Sequence, residues 1–206
     1  YDPNLFVCGT YELLKDKLPP RRVGFLELYL HKKDTIVCLQ READGIGILD
    51  CAWEPATDSN ATQTRLLATA CSDGTARVYG LSESLPASLE AVTTGTCDDF
   101  GDALMSLSWG IAEQGTPRLA LSSTTGRLYL FRLTSVGLEL QQQWLAHTLE
   151  GWAIAFSADH WATLYSGGDD AVFKVWDLRN QNDDSSAPAT VALNRRVHRA
   201  GGCCIR

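Results

Sequence analysis

The sequence has no apolar run that approaches the roughly 18 residues of a membrane-spanning helix, and no segment with the pattern of a secretory signal peptide. It is also short of positive charge, because 18 Lys and Arg residues face 25 Asp and Glu residues, for a formal net charge of −7. A nucleic-acid binder normally needs clustered basic residues to offset the phosphate charge. We therefore expect neither a membrane nor a nucleic acid as a partner.

Several chemical signatures are missing as well. There is no Cys-x-x-Cys pair, no cluster of His, Cys, Asp and Glu with the spacing of metal ligands, and no glycine-rich phosphate-binding loop. The sequence therefore gives no reason to expect a metal or a cofactor. The seven cysteines are odd in number, and several lie in apolar runs, as at Cys51 and Cys71. This pattern predicts reduced, buried thiols in a cytoplasmic or nuclear protein.

What the sequence does contain is an internal repeat. Four segments share a small residue followed five positions later by an aromatic residue, and the small residues lie 50, 52 and 45 residues apart. The segments are 24–29 (GFLELY), 74–79 (GTARVY), 126–131 (GRLYLF) and 171–176 (AVFKVW). The first three begin with glycine and the fourth with Ala171, which predicts slight strain in the fourth turn.

Short apolar strand patterns with regular turns surround each copy. At this period they predict the four-stranded blades of a β-propeller, an all-β fold with almost no helix. The expected strands are 5–10, 25–30, 48–53, 66–71, 76–79, 105–109, 119–123, 128–133, 153–156, 163–166 and 173–176.

The repeat count also predicts how the chain is divided. Residues 1–206 are expected to form about four blades of a seven-bladed propeller, because a complete one needs roughly 300 residues at this period. Residues 198–206 are expected to open a further blade. An insertion at 12–23 is expected to be a surface loop, and the polar stretch 180–188 is expected to be a loop between blades.

The fourth copy resembles the WD repeat most closely. Residues 166–170 (SGGDD) are followed by 175–177 (VWD), and a histidine lies upstream. In WD repeats a His, a Ser, an Asp and a Trp form a hydrogen-bonded structural tetrad. The resemblance assigns those roles to His147, Ser166, Asp170 and Trp176. We interpret the Ser/His/Asp trio as structural rather than catalytic, since no G-x-S-x-G nucleophile elbow is present.

Four stretches go beyond the general repeat. They are 8–13 (CGTYEL), 48–53 (ILDCAW), 146–156 (AHTLEGWAIAF) and 165–170 (YSGGDD). Together they resemble the WD-repeat diphthine methyl ester hydrolases of diphthamide biosynthesis. The third stretch is the most specific, because an ordinary WD repeat does not require Glu150 or Trp152.

The resemblance implies hydrolysis of a methyl ester on a modified histidine of elongation factor 2, which frees the carboxylate that is amidated to complete diphthamide. Elongation factor 2 carrying methylated diphthine is then both substrate and partner, and the complete protein is expected to be monomeric. The substrate side chain carries a trimethylammonium group, with which the net acidity of the chain is compatible. The alternative is a non-catalytic scaffold that presents a propeller face to protein partners.

Ester hydrolysis needs an activated water or a nucleophile, together with donors for the oxyanion. We predict Glu150 and Asp169 as catalytic residues, because their loops should open on the same face of one repeat. Trp152 can stack on a quaternary ammonium and Asp50 can face the channel, so both are predicted to bind substrate.

Each candidate has a structural alternative. Glu150 can be a solvated loop carboxylate, Asp169 can support its turn, Trp152 can belong to the core, and Asp50 can pair with a neighbouring blade. Cys8 occupies the strand position that Ser166 holds in the fourth copy, so we expect it to be buried and inert rather than a nucleophile.

Overall fold

The computed structural model describes residues 2–17, 20–42, 45–55, 64–82, 86–97, 101–181, 187–194, 201, 202 and 205. Within these ranges all the regular elements are strands, and no helix is long and apolar enough to cross a membrane. The predicted all-β class is confirmed. In chain order the strands are β1 (Leu5–Gly9), β2 (Glu12–Leu14), β3 (Arg21–Val23), β4 (Leu26–Lys32), β5 (Thr35–Arg41), β6 (Ile48–Trp53), β7 (Leu66–Cys71), β8 (Thr75–Ser82), β9 (Ser88–Thr96), β10 (Leu104–Ile111), β11 (Pro117–Ser123), β12 (Arg127–Thr134), β13 (Gly137–Leu145), β14 (Gly151–Phe156), β15 (Thr163–Gly168), β16 (Phe173–Gln181) and β17 (Pro188–Asn194).

The strands form four consecutive antiparallel sheets, which we call blades I to IV. Blade I has the order β1-β4-β5, blade II β6-β7-β8-β9, blade III β10-β11-β12-β13 and blade IV β14-β15-β16-β17. The two short strands β2 and β3 pair with each other as a separate hairpin between β1 and β4. Neighbouring strands within a blade follow one another in sequence, apart from this inserted hairpin, as in the predicted repeat.

Buried apolar side chains lie between the blades rather than inside one common core. One cluster joins blades I and II around Leu28, Leu67 and Tyr79. A second joins blades II and III, and a third joins blades III and IV around Trp144 and Trp176. Because each fully buried large side chain contributes about 1.5–3 kcal/mol, every blade depends on its neighbour for most of its stability.

The four blades share a β-bulge between their two outermost strands. The register shifts between Leu28 and Tyr29, Val78 and Tyr79, Leu130 and Phe131, and Val175 and Trp176. These are the aromatic residues that align the four copies in the sequence. The aligned aromatic positions therefore coincide with the same irregularity in all four sheets.

Two expectations about loops are wrong. Residues 12–23 are not merely a loop, because Glu12 pairs with Val23 and Leu14 with Arg21 in the β2–β3 hairpin. The stretch 180–188 does not connect blades, because β16 extends to Gln181 and pairs there with Pro188 at the start of β17. It turns the chain within blade IV, between the third and fourth strands; residues 182–186 lie outside the described part.

The prediction of buried thiols holds only in part. Cys71 is buried, Cys51 and Cys97 are half-buried, and Cys8 and Cys38 are exposed. Cys8 does occupy the position of Ser166, since it pairs with Glu27 as Ser166 pairs with Lys174. It is exposed because β1 has only one neighbouring strand in the described structure, so no inner strand covers it. Cys203 and Cys204 lie outside the described residues.

Candidate functional site

The loops that enter the inner strands and the turns between the second and third strands of a blade lie at the same end of the sheets, because neighbouring strands are antiparallel. We call this end the loop face. In blade IV it consists of residues 146–150 and 169–172. The β2–β3 hairpin belongs to the same face, because it interrupts the connection between the second and third strands of a repeat.

The four predicted tetrad side chains are joined by hydrogen bonds. His147 Nδ1 lies 3.0 Å from Asp170 Oδ1, and His147 Nε2 lies 2.8 Å from Ser166 Oγ. The Trp176 indole N–H donates to the same Ser166 oxygen at 2.9 Å. Ser166 is fully buried, so no substrate can reach its hydroxyl. The Ser/His/Asp trio therefore has a structural arrangement without an accessible nucleophile.

The electrostatics of the tetrad favour a neutral histidine. Burial lowers the pKa of His147 below its ordinary value, although the hydrogen bond to Asp170 opposes the effect. Burial acts to raise the pKa of Asp170, but hydrogen bonds from His147 and from the Thr148 and Val172 N–H groups leave it below its ordinary value. The imidazole thus donates from Nδ1 to a carboxylate and accepts the Ser166 hydroxyl proton at Nε2.

The turn that carries Asp170 is strained, as the sequence predicted. Ala171 has a φ of 57°, in the left-handed region, where the corresponding Gly74 and Gly126 have 79° and 77°. Ala171 N–H donates to the Gly168 carbonyl at 3.1 Å and closes the turn. A side chain with a Cβ is held there because the surrounding bonds to Asp170 fix the turn.

Glu150 and Asp169 are brought together on the loop face. The Asp169 N–H donates to the Glu150 carbonyl at 2.9 Å, one residue beyond the last β14–β15 pair of Gly151 and Gly168. Asp169 is exposed and Glu150 half-buried. Gly168 permits this approach, because a Cβ there would lie 2.8 Å from the Glu150 carbonyl oxygen. The two carboxylates therefore flank one loop–turn junction that is open to solvent.

Trp152 lies next to this junction, at the start of the inner strand. The β14–β15 register shifts between Gly151 and Ala153, so Trp152 is the extra residue of a β-bulge. Its ring is half-buried, and its Nε1–H is buried without a hydrogen-bond partner among the described residues. Bulges redirect side chains, and this one lies two residues along the chain from Glu150.

Asp50 is not part of this group. It lies on the inner strand of blade II, with blade III between it and Glu150. Its Oδ2 accepts hydrogen bonds from the Leu107 N–H at 2.9 Å and the Ser106 hydroxyl at 3.1 Å, and its Oδ1 accepts from the Cys51 N–H. Burial raises the pKa of Asp50 above its ordinary value, although these three hydrogen bonds act to lower it. The arrangement matches its structural alternative, a bond to the neighbouring blade.

A second buried carboxylate escaped the sequence reasoning. Asp102, only 1% exposed, accepts hydrogen bonds from the Tyr129 hydroxyl at 2.9 Å, the Thr124 and Thr125 hydroxyls at 2.8 and 2.7 Å, and the Thr125 N–H. In blade III Asp102 occupies the position that His147 has in blade IV. Asp102 accepts hydrogen bonds from the turn, whereas His147 donates one to Asp170. The available signal was its spacing, because Asp102 precedes Gly126 by as many residues as His147 precedes Ala171.

A metal is not evident from the side-chain arrangement. No group of three His, Cys, Asp or Glu side chains in the described part of the chain is placed to hold one. The residues at this junction of blade IV, two with carboxylates and one with an indole, are suited to proton transfer and to the binding of a cation.

Comparison with known proteins identifies relatives over nearly the whole chain. No protein-family model matches it. The chain is 30% identical to the diphthine methyltransferase homolog of Dictyostelium discoideum, over 95% of this chain and 58% of that protein. It is 28% identical to diphthine methyltransferase of Homo sapiens, over 98% of this chain and 48% of that protein. The chain thus spans about half the length of the curated relatives it matches, and the predicted resemblance is confirmed.

Solved structures resemble the chain in fold. Sqt1 from Chaetomium thermophilum, bound to the N-terminus of ribosomal protein L10, matches with a TM-score of 0.67 and 17% identity over 92% of this chain and 48% of that one. A chain of the mitotic checkpoint complex matches with a TM-score of 0.65 and 17% identity over 96% of this chain and 50% of that one. The fold is the predicted WD-repeat β-propeller.

Proposed function

We propose that this protein acts in diphthamide biosynthesis and hydrolyses the methyl ester of methylated diphthine on elongation factor 2. The observation that carries the proposal is the similarity to proteins named diphthine methyltransferase along nearly the entire chain. The Glu150–Trp152 stretch, which a general WD repeat does not require, supports it further because it lies on the solvent-open loop face beside Asp169.

The reaction requires a base for water and donors for the oxyanion, and this substrate also needs a site for its cation. The oxygen of water bonds to the ester carbonyl carbon, the bond from that carbon to the methoxy oxygen breaks, and the methoxy oxygen takes up the proton that the base removed from water and leaves as methanol. We assign the removal of the water proton to Glu150 or Asp169. The Trp152 ring is assigned to the substrate's trimethylammonium group, a contact worth about 0.5–2 kcal/mol. Asp50 has no role in this proposal, because its oxygens are engaged between blades II and III.

Hydrolysis of the ester, rather than transfer of a methyl group to the carboxylate, is part of the proposal. The names of the relatives describe methyl transfer, in which a donor would place the methyl group on the diphthine carboxylate. We propose hydrolysis because two solvent-accessible carboxylates suit the activation of water. The free thiols of the described cysteines suit a reducing compartment, so we infer a cytoplasmic or nuclear location.

Mass spectrometry tests the proposal. The full-length protein is incubated with elongation factor 2 that carries methylated diphthine, and the modified peptide should lose about 14 Da, the mass of CH₂ exchanged when an ester becomes an acid. A gain of about 14 Da on unmethylated diphthine with a methyl donor would instead establish transfer. If neither mass change occurs although the two proteins bind, the non-catalytic scaffold is the correct function.

A further inference from the structure

The β2–β3 hairpin is basic in a chain that is otherwise strongly acidic. Residues 12–23 contain four basic residues against two acidic ones, a net charge of +2, whereas the whole chain has −7. The basic residues are Lys15, Lys17, Arg21 and Arg22. A positive element on a negative body is an asymmetry that the fold does not need, since charge patterning of this kind affects association rather than folding.

The base of the hairpin is fixed to the loop face. The Arg22 carbonyl accepts hydrogen bonds from the Ser72 hydroxyl at 2.8 Å and the Gly47 N–H at 3.3 Å, both in blade II. At the neck, Gly24 lies so close to Thr10 that a Cβ would be 1.9 Å from its carbonyl oxygen. The hairpin is thus held in one orientation relative to blades I and II.

The described basic side chains of the hairpin are free to bind. Lys15, Lys17 and Arg21 are exposed, and in the described part of the chain neither they nor Arg22 forms a salt bridge. Two apolar side chains accompany these charges, because Leu13 is 39% and Tyr11 54% exposed. Unpaired cations beside exposed apolar groups are what a mixed protein–protein contact uses, with complementary charge giving orientation and speed of association.

We propose that this hairpin docks an acidic, partly apolar surface of the protein substrate. The inference rests on the proposed function for the identity of that substrate, elongation factor 2. The hairpin and the Glu150–Asp169 junction share the loop face, so a macromolecule bound to the hairpin presents its modified side chain to the same face. A protein surface fits better than RNA, because the acidic remainder of the chain repels phosphates and the hairpin offers exposed apolar side chains, Leu13 in β2 and Tyr11 at its neck.

The test uses two charge-matched variants of the full-length protein. Lys15→Glu/Lys17→Glu reverses two positive charges of the hairpin. Lys32→Glu/Lys33→Glu makes the same change in charge at the exposed turn between β4 and β5, which lies at the opposite end of blade I. Affinities for unmodified elongation factor 2 and for a single-stranded RNA oligonucleotide are measured at 50 and 200 mM salt, concentrations chosen because screening grows in that range. Demethylation of the modified factor is measured separately.

The hairpin variant should bind about tenfold more weakly at low salt and show a reduced salt dependence, while the control variant binds like the parent. In demethylation its KM should rise and its kcat should stay unchanged. The inference would be overturned if the parent does not bind elongation factor 2, or if the two variants bind it with the same affinity, reduced or not. It would also be overturned if the hairpin variant loses affinity only for a single-stranded RNA oligonucleotide. If the parent binds but does not demethylate, and only the hairpin variant loses affinity, the docking role stands and the proposed function fails.

Discussion

At the scale of single residues, Ala171 shows how a strained position can be retained. The equivalent turns in blades II and III use glycine, whereas Ala171 adopts a φ of 57° with a Cβ in place. For an L-residue the left-handed region costs about 1–2 kcal/mol. The hydrogen bonds from three donors that converge on Asp170, immediately before it, supply the constraint that holds this conformation.

Ala171→Gly should therefore stabilise the protein. Relief of the left-handed φ, less the entropy that glycine adds to the unfolded chain, gives about 0.5–1 kcal/mol in the free energy of unfolding. Chemical denaturation measures the change. Gly126→Ala is the converse control and should be clearly destabilising, because its Cβ would lie 2.3 Å from the His147 carbonyl oxygen. A lower midpoint for Ala171→Gly would mean that the turn is not strained.

Asp170→Ala should lower the free energy of unfolding by about 1–3 kcal/mol, since it leaves the buried His147 ring and two backbone N–H groups without their acceptor. Activity should fall only in proportion to the folded protein that is lost. Thermal melts combined with kcat per folded molecule separate the two effects. A variant that melts like the parent yet has no activity would make Asp170 catalytic.

The tetrad also predicts a pH dependence. Because the pKa of folded His147 lies below its ordinary 6.5, the unfolded chain binds a proton that the folded chain excludes. The contribution of neutral His147 to the free energy of unfolding is therefore fully present above about pH 6.5 and is lost as the pH falls below it. His147→Gln should be less stable at pH 7 and should flatten the decline between pH 7 and 5, whereas the exposed His160→Gln should not. An unchanged slope in His147→Gln would contradict the assignment.

At the scale of elements, the sequence predicted the strands that are buried and missed those that are not. The strands that precede the outer strand of each blade are apolar enough to be recognised. The outer strands β5, β9 and β17 are largely exposed, and β13 is mostly half-buried and contains three consecutive glutamines, so neither an apolar run nor an alternation marks these four strands. The β2–β3 hairpin was hidden for the same reason, since its pairs include charged side chains.

The candidate site was predictable where a local motif fixes it. The tetrad follows from spacing within one repeat, and so does the proximity of Glu150 and Asp169. Asp50 shows the limit, because its hydrogen-bond partners Ser106 and Leu107 belong to the next blade and their register depends on inter-blade packing. Asp102 was missed because the tyrosine and threonine donors that replace the usual partners do not form a recognisable motif.

The inter-blade role of Asp50 can be tested directly. Asp50→Ala should lower the free energy of unfolding by about 1–3 kcal/mol, because the Ser106 hydroxyl and the Leu107 N–H lose their acceptor between blades II and III. The exposed Asp34→Ala, at a turn of blade I, should change it by no more than about 0.5 kcal/mol. If Asp50→Ala keeps its stability and loses substrate affinity, the original prediction of substrate binding is correct.

At the scale of the whole molecule, the blades place chemistry and recognition at one end. The loop face carries the Glu150–Asp169 junction, the bulged Trp152 and the basic hairpin, while the opposite end carries the connections between inner and second strands. Because packing lies between blades, the exposed side chains of this face can change without loss of the core, whereas the tetrad residues His147 and Asp170 cannot. This separation allows a test of which end of the sheets carries the catalytic residues.

Glu150→Gln and Asp169→Asn, each made in the full-length protein, should keep the melting temperature, because solvent-accessible substitutions change stability by no more than about 0.5 kcal/mol. At least one should lower kcat/KM for demethylation by a factor of about 100 or more, the size of a lost general base. A lower kcat identifies the base, and a higher KM identifies a cation anchor. The matched controls are Glu113→Gln and Asp159→Asn, exposed carboxylates at the opposite end of blades III and IV. If all four variants demethylate at the parental rate, the loop face of blade IV is not the active site, and Glu150 and Asp169 are solvated loop residues.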